Sequence, residues 1–266
     1  MDDDTGRRAA VDGAVDRFRA LVDAGEPDLL DAALEIARAA DPSADVTTAR
    51  AEIDRLAVGV DGLDALVRRL YVEEGFHGDR EDYYDPRNSS LTEVLARRTG
   101  IPITLAVVCL EVGRRADVAL EPVGMPGHFL VHPVGSALHL DPFTGELLDR
   151  DQCVRRFREA TGLGREVAFD DALLAPIGTE AVLVRMLTNL RGIHRSRGDL
   201  AELGWVLRMR LGLPGVSATE VAELAEVWGR RAAFREAADL LDTWAEAPRD
   251  ADALRRHARR WRAHLN

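Results

Sequence analysis

The hydrophobic period of this chain switches twice along its length. Val11, Val15, Phe18, Leu21 and Val22 recur at helical spacing, which predicts a helix over 8–24 that Gly25 and Pro27 stop. The same period runs through 29–40 and 46–71, with Asp45 or Thr47 as an N-cap. Gly75 to Asn88 breaks it with Gly, Asp, Tyr, Pro and Asn and reads as a loop. Ser89 or Ser90 caps a short helix to about Arg98. Thr99-Gly100-Ile101-Pro102 interrupts it, and an apolar helix follows from about Ile103 to Arg115. Residues 119–124, 128–132 and 137–140 read as strands, separated by Pro126-Gly127 and Pro133–Gly135. From about Gln152 the helical period returns. Short strands that follow a buried helix predict an α+β fold with a small antiparallel sheet, not a βαβ repeat. The expected domains are a helical layer over 1–72, a mixed core over 73–165 and a helical region over 166–266.

The last third repeats itself. Leu200 falls on Phe234 at an offset of 34, Val206-Leu207 on Leu240-Leu241, and Pro214 on Pro248. A 34-residue helix-turn-helix period ending in Pro is the tetratricopeptide signature, and the alternative is an ordinary bundle in accidental register. Helices are expected near 176–196, 199–212, 217–230, 232–246 and 250–264, stacked as antiparallel pairs.

Composition narrows the function classes. With 46 acidic and 35 basic residues the net charge is −11, which argues against nucleic acid or an anionic membrane as the main partner. Every basic residue is Arg, so Schiff-base and P-loop lysine chemistry are excluded. Two cysteines, Cys109 and Cys153, lie 44 residues apart; neither a CxxC site nor a disulfide framework is expected, and both read as small buried side chains. No apolar run reaches membrane-spanning length, and MDDDTGRRAA lacks an apolar h-region, so the expected location is the cytoplasm.

Chemistry concentrates between Tyr83 and Phe143. A polar residue at a helix start, then a His, then a strand-end Asp is the order of a nucleophile–base–orienter triad. The helix start favours developing negative charge. His128 can move a proton near pH 7, and Asp141 can hold its tautomer. The alternatives are a core histidine and an Asp-Pro turn. His128, His132 and His139 do not read as a metal site, because His128 and His132 would be about 13 Å apart along an extended strand. No metal or cofactor is expected.

The segments YYDPRNSSL (83–91), GIPITL (100–105), MPGHFLVHP (125–133) and LDPFTGELL (140–148) resemble the SirB1 family, transglutaminase-like core 2 proteins with a C-terminal tetratricopeptide-like region. The resemblance covers roughly 45–250 and implies a papain/transglutaminase-like core between helical flanks. It puts Thr104, His128 and Asp141 at the triad positions, and Tyr84, Asn88, Ser89 and Gly127 along a peptide-binding cleft. Asn88 and Ser89 can equally serve as caps for the next helix, and Gly127 permits close approach of a ligand.

The departure from active relatives is Thr104, where they carry Cys. Cys109 lies five residues on, about 140° round a helix and about 7.5 Å along it, so it points elsewhere. A Thr hydroxyl is a weaker nucleophile than a thiolate, and internal Thr nucleophiles are uncommon. The expected function is therefore a degenerate, Cys-lacking module that binds a protein or peptide partner. Two alternatives stand beside it: an amide hydrolase or acyltransferase with a Thr104–His128–Asp141 triad, and a helical-repeat scaffold without an active cleft. The five arginines within 255–262 read as a solvated helix face.

Overall fold

The structure is a computed structural model that describes residues 2–164, 166–245 and 251–265, with the backbone alone for 2–4. It is an α+β protein, mostly helical, and its chain divides into two compact units: residues 26–186, and residues 1–25 with 187–266. This partition groups residues 26–72 with the mixed core.

In the 26–186 unit, α2 (Leu29–Ala40) is capped by the Asp28 carboxylate and α3 (Val46–Ala57) by that of Asp45. The helix expected over 46–71 is broken. Gly59 and Gly62 take φ of +73° and +83°, a region where a Cβ is costly, and they end α3 and start α4 (Gly62–Val67). Arg68–Glu73 then widens into a π-helical turn, closed by Glu74 N–H to Arg69 O at 2.9 Å. A two-residue parallel ladder, β1 (His77–Gly78) with β2 (Thr99–Gly100), encloses the 3₁₀ turn Pro86–Ser89 and α5 (Leu91–Arg97). The ladder leads into α6 (Pro102–Arg115), which is buried from Pro102 to Gly113.

Beside α6 stands a four-stranded antiparallel sheet in sequence order: β3 (Leu120–Val123), β4 (Leu130–Pro133), β5 (His139–Asp141) and β6 (Glu146–Leu148). One face meets α6 so closely that a Cβ on Gly113 would fall 2.6 Å from Leu120. On the other face Val123, Leu130 and Leu148 pack with Cys153 and Phe157 of α7 (Arg150–Thr161), whose start is fixed by an Asp149–Gln152 capping box. The strand expected over 128–132 begins two residues later. The β3–β4 pairing ends at Val123↔Leu130, and the Pro126-Gly127 turn keeps His128 outside the ladder.

In the other unit α1 (Asp2–Asp23) packs on α9 (Leu200–Arg210). α8 (Thr179–Arg197), whose residues 179–186 belong to the 26–186 unit, leads into α9, followed by α10 (Ala218–Arg230), α11 (Phe234–Trp244) and α12 (Ala251–Arg262). Successive helices from α9 to α12 pack as hairpins. The 34-residue offset reappears in the backbone. Gly198 (φ +72°) and Ala232 (φ +62°) hold the same left-handed turn, and Asp199 N–H to His194 O and Ala233 N–H to Trp228 O are both 3.0 Å. Buried Arg210 donates to the carbonyls of Pro214 and Gly215 at 3.0 and 2.9 Å, which fixes the turn before α10. Pro248, the partner of Pro214 in the repeat, lies outside the described residues. Leu254, Ala258 and Trp261 bury one stripe of α12 while Arg255, Arg256, Arg259, Arg260 and Arg262 stay exposed. Among the described residues no helix is long and apolar enough to cross a membrane.

Candidate functional site

Thr104 is the third residue of α6. Pro102 opens the helix, and the N-cap Ile101 offers no side-chain cap. Thr104 is fully buried, and its Oγ1 has no hydrogen-bond partner among the described residues. A sealed, unpaired hydroxyl costs roughly 1–3 kcal/mol. No hydrogen bond joins it to His128.

His128 and Asp141 do meet. The bend after Gly127, tied by His128 N–H to Met125 O at 3.2 Å, turns the imidazole toward the end of β5. His128 Nε2 lies 2.8 Å from Asp141 Oδ1. The carboxylate is acceptor-only, so Nε2 carries the proton that it accepts. Asp141 is wholly buried; its Oδ1 also accepts from Phe143 N–H at 2.9 Å, and Oδ2 pairs with Arg156 of α7 at 3.1 Å. Burial pushes the Asp141 carboxyl up, but the His128 bond and charge, the Phe143 amide and Arg156 outweigh it and hold it below the ordinary carboxylate range. The carboxylate thus fixes the orientation of the imidazole.

The turn after Asp141 is locked by close packing. Gly78 N–H donates to Phe143 O at 2.8 Å, and a Cβ on Gly78 would fall 2.1 Å from the Phe143 ring. The Tyr71 ring leaves no room for a Cβ on Gly145, and its hydroxyl donates to Pro142 O at 3.3 Å. Since Gly78 pairs with Gly100, two residues before α6, the ladder stitches the Asp141 turn to the segment that starts the helix. Rings continue outward from the pair: His128 to Phe143 at 6.2 Å, Phe143 to Tyr83 at 6.3 Å, and Tyr83 to Tyr84 at 5.2 Å, ending on a Tyr84 that is 69% exposed.

Asn88, Ser89 and Gly127 are built into the fold around the site. Asn88 is buried; its amide donates to Asp79 at 3.0 Å and to Asp82 O at 2.8 Å, and its oxygen accepts from Arg97 at 2.6 Å. Ser89 closes the 3₁₀ turn, and its Oγ is buried without a partner among the described residues. Gly127, at φ +76°, makes room for Ala160 of α7, which a Cβ would meet at 2.8 Å. Arg156, Tyr71 and Phe143 carry the site without having been singled out. Phe143 sits in the Leu140-Asp141-Pro142-Phe143 run and was within reach; Tyr71 and Arg156 have no local signal, because only the fold brings them to Asp141.

Neither cysteine offers a nucleophile. Burial pushes the Cys109 thiol up to about 12 despite the Tyr71 hydroxyl 3.0 Å away, and pushes Cys153 up to about 11. His132 and His139 are cross-strand neighbours with rings 4.9 Å apart. Among the described residues no three His, Cys, Asp or Glu side chains gather as a metal site.

Residues 30–188 match the core 2 profile of the transglutaminase-like superfamily. The chain is 41% identical over 151 residues to a UPF0162 protein of Xylella fastidiosa, covering 54% of this chain and 53% of that protein. It is 34% identical over 149 residues to a UPF0162 protein of Pseudomonas aeruginosa, covering 56% and 54%. It is 33% identical over 147 residues to the F-box only protein 21 of Homo sapiens, covering 51% of this chain and 22% of that protein. The matched part thus spans about half the length of the bacterial relatives. No solved structure matches the chain. With a helix start, a His–Asp pair and a short antiparallel sheet all inside the matched stretch, the chain belongs to the transglutaminase-like superfamily, in its core 2 group.

Proposed function

We propose that the transglutaminase-like core binds a peptide or protein segment at the His128–Asp141 pair and forms no thioester. One observation carries this reading: an intact, oriented pair stands in a chain whose two cysteines are both sealed and held protonated. A polar imidazole at the foot of a run of rings that reaches the surface through Tyr83 and Tyr84 suits a bound backbone flanked by apolar side chains. The helical hairpins, if they act as tetratricopeptide repeats, would add a second binding surface.

A second reading draws on the unpaired Thr104 hydroxyl: acyl transfer or amide hydrolysis with Thr104 as nucleophile and His128 as base. Burial of Thr104 speaks against it, since a nucleophile must reach its substrate.

Selection of a displayed random peptide library on the full chain tests the binding reading. It expects enriched peptides whose affinity falls at least fivefold in His128→Ala. Enriched peptides indifferent to His128→Ala, or no enrichment, would overturn it.

A further inference from the structure

The unit of residues 1–25 and 187–266 holds a cavity of about 250 Å³ between the start of α1, one side of α9 and the α10–α11 turn. In a chain of net charge −11, its lining carries four arginines, Arg7, Arg8, Arg208 and Arg231, against two acids, Asp12 and Glu202. Both acids are engaged within the wall. Glu202 accepts from Arg7 at 2.7 Å and from the Trp205 indole N–H at 2.7 Å, and Asp12 pairs with Arg208. Arg8 and Arg231 have no side-chain hydrogen bond or ion pair among the described residues, although they come from different elements and line the same cavity. The half-buried ring of Trp228 lies in the same wall.

We propose that this cavity binds a peptide carboxylate, with Arg8 and Arg231 holding the charge and Trp228 covering the apolar stem. Guanidinium forks match a carboxylate in paired hydrogen bonds, and an aromatic face takes up the adjoining methylenes. The volume suits one amino-acid residue and lies below the roughly 300 Å³ at which small-molecule pockets begin. The carboxylate can come from an Asp or Glu side chain or from a chain end; both present the same group. This site is independent of the His128–Asp141 reading.

Fluorescence anisotropy on the full chain tests it, with a labelled hexapeptide ending in Leu-Glu-Phe and a free C-terminal carboxylate. Three further probes are amidated at the end, carry Gln for Glu, or both. Saturable binding of the first probe is expected, with at least a fivefold loss in whichever single change removes the bound carboxylate, and no binding of the doubly neutral peptide. Arg8→Gln and Arg231→Gln should each weaken binding at least threefold, and together at least tenfold, without altering the circular dichroism spectrum. Equal binding of the doubly neutral peptide, wild-type affinity in the double arginine variant, or no saturable binding of any probe would overturn the proposal.

Discussion

At the scale of single residues, the site depends on atoms that are missing. Gly78 has no side chain because the Phe143 ring occupies that space, and the ring in turn supports the turn that aims Asp141. Gly78→Ala forces ring and ladder apart, so we expect a loss of about 1–3 kcal/mol in denaturant unfolding. Its mark beyond stability is the His128 imidazole, whose nitrogen resonances should shift as the Asp141 bond lengthens; an unchanged stability and unchanged resonances would show that the turn is held otherwise. His128 and Asp141 were legible in sequence, because a turn and a strand end thirteen residues apart put them on neighbouring elements. Arg156 was not, since nothing near Asp141 in the chain points to α7. Gly127 was legible as a close approach, but what approaches is Ala160.

At the scale of elements, hydrophobic period located α2, α6 and the C-terminal helices to within a few residues, whereas the stretch after Ala57 shows where period alone fails. Apolar spacing continues through Val58–Tyr71, but Gly59 and Gly62 adopt positive φ and the helix breaks into three pieces. An ion-pair network ties α3 to the residue that closes the π-helical turn. Glu52 of α3 binds Arg55 at 2.7 Å and also Arg98, while Glu74 binds Arg55 at 2.8 Å and Arg98 at 3.2 Å. The hydrogen bond from Arg55, opposed by partial burial and aided by Arg98, lowers the Glu52 carboxyl to about 2. A carboxyl lowered in the folded state stabilises above its unfolded pKa of about 4.3 and loses that contribution as pH falls toward 2. Glu52→Gln should therefore cost about 1 kcal/mol at pH 7, a figure reduced for solvent screening, and the gap to wild type should close between pH 4.3 and 2. Melting temperatures across that range check it; a gap that stays constant would mean the network contributes no ionic stabilisation.

At the scale of the whole molecule, the chain joins a transglutaminase-like core to helical hairpins, and the proposed function turns on one exchange, Thr104 for Cys, at the start of α6. The 34-residue period was visible in sequence because Leu200 and Phe234 repeat. Its backbone counterpart at Gly198 and Ala232 was not, because Ala gives no hint of a left-handed turn. The measurement that bears most directly on the exchange is intact-mass spectrometry of the native chain after treatment with a fluorophosphonate and, separately, with iodoacetamide. A binding core with a sealed Thr104 and two high-pKa buried thiols should remain unmodified by either reagent, and both cysteines should alkylate only after unfolding. A single stoichiometric fluorophosphonate adduct on Thr104, absent in Thr104→Ala, would contradict the account and make this centre an acyl-transfer enzyme.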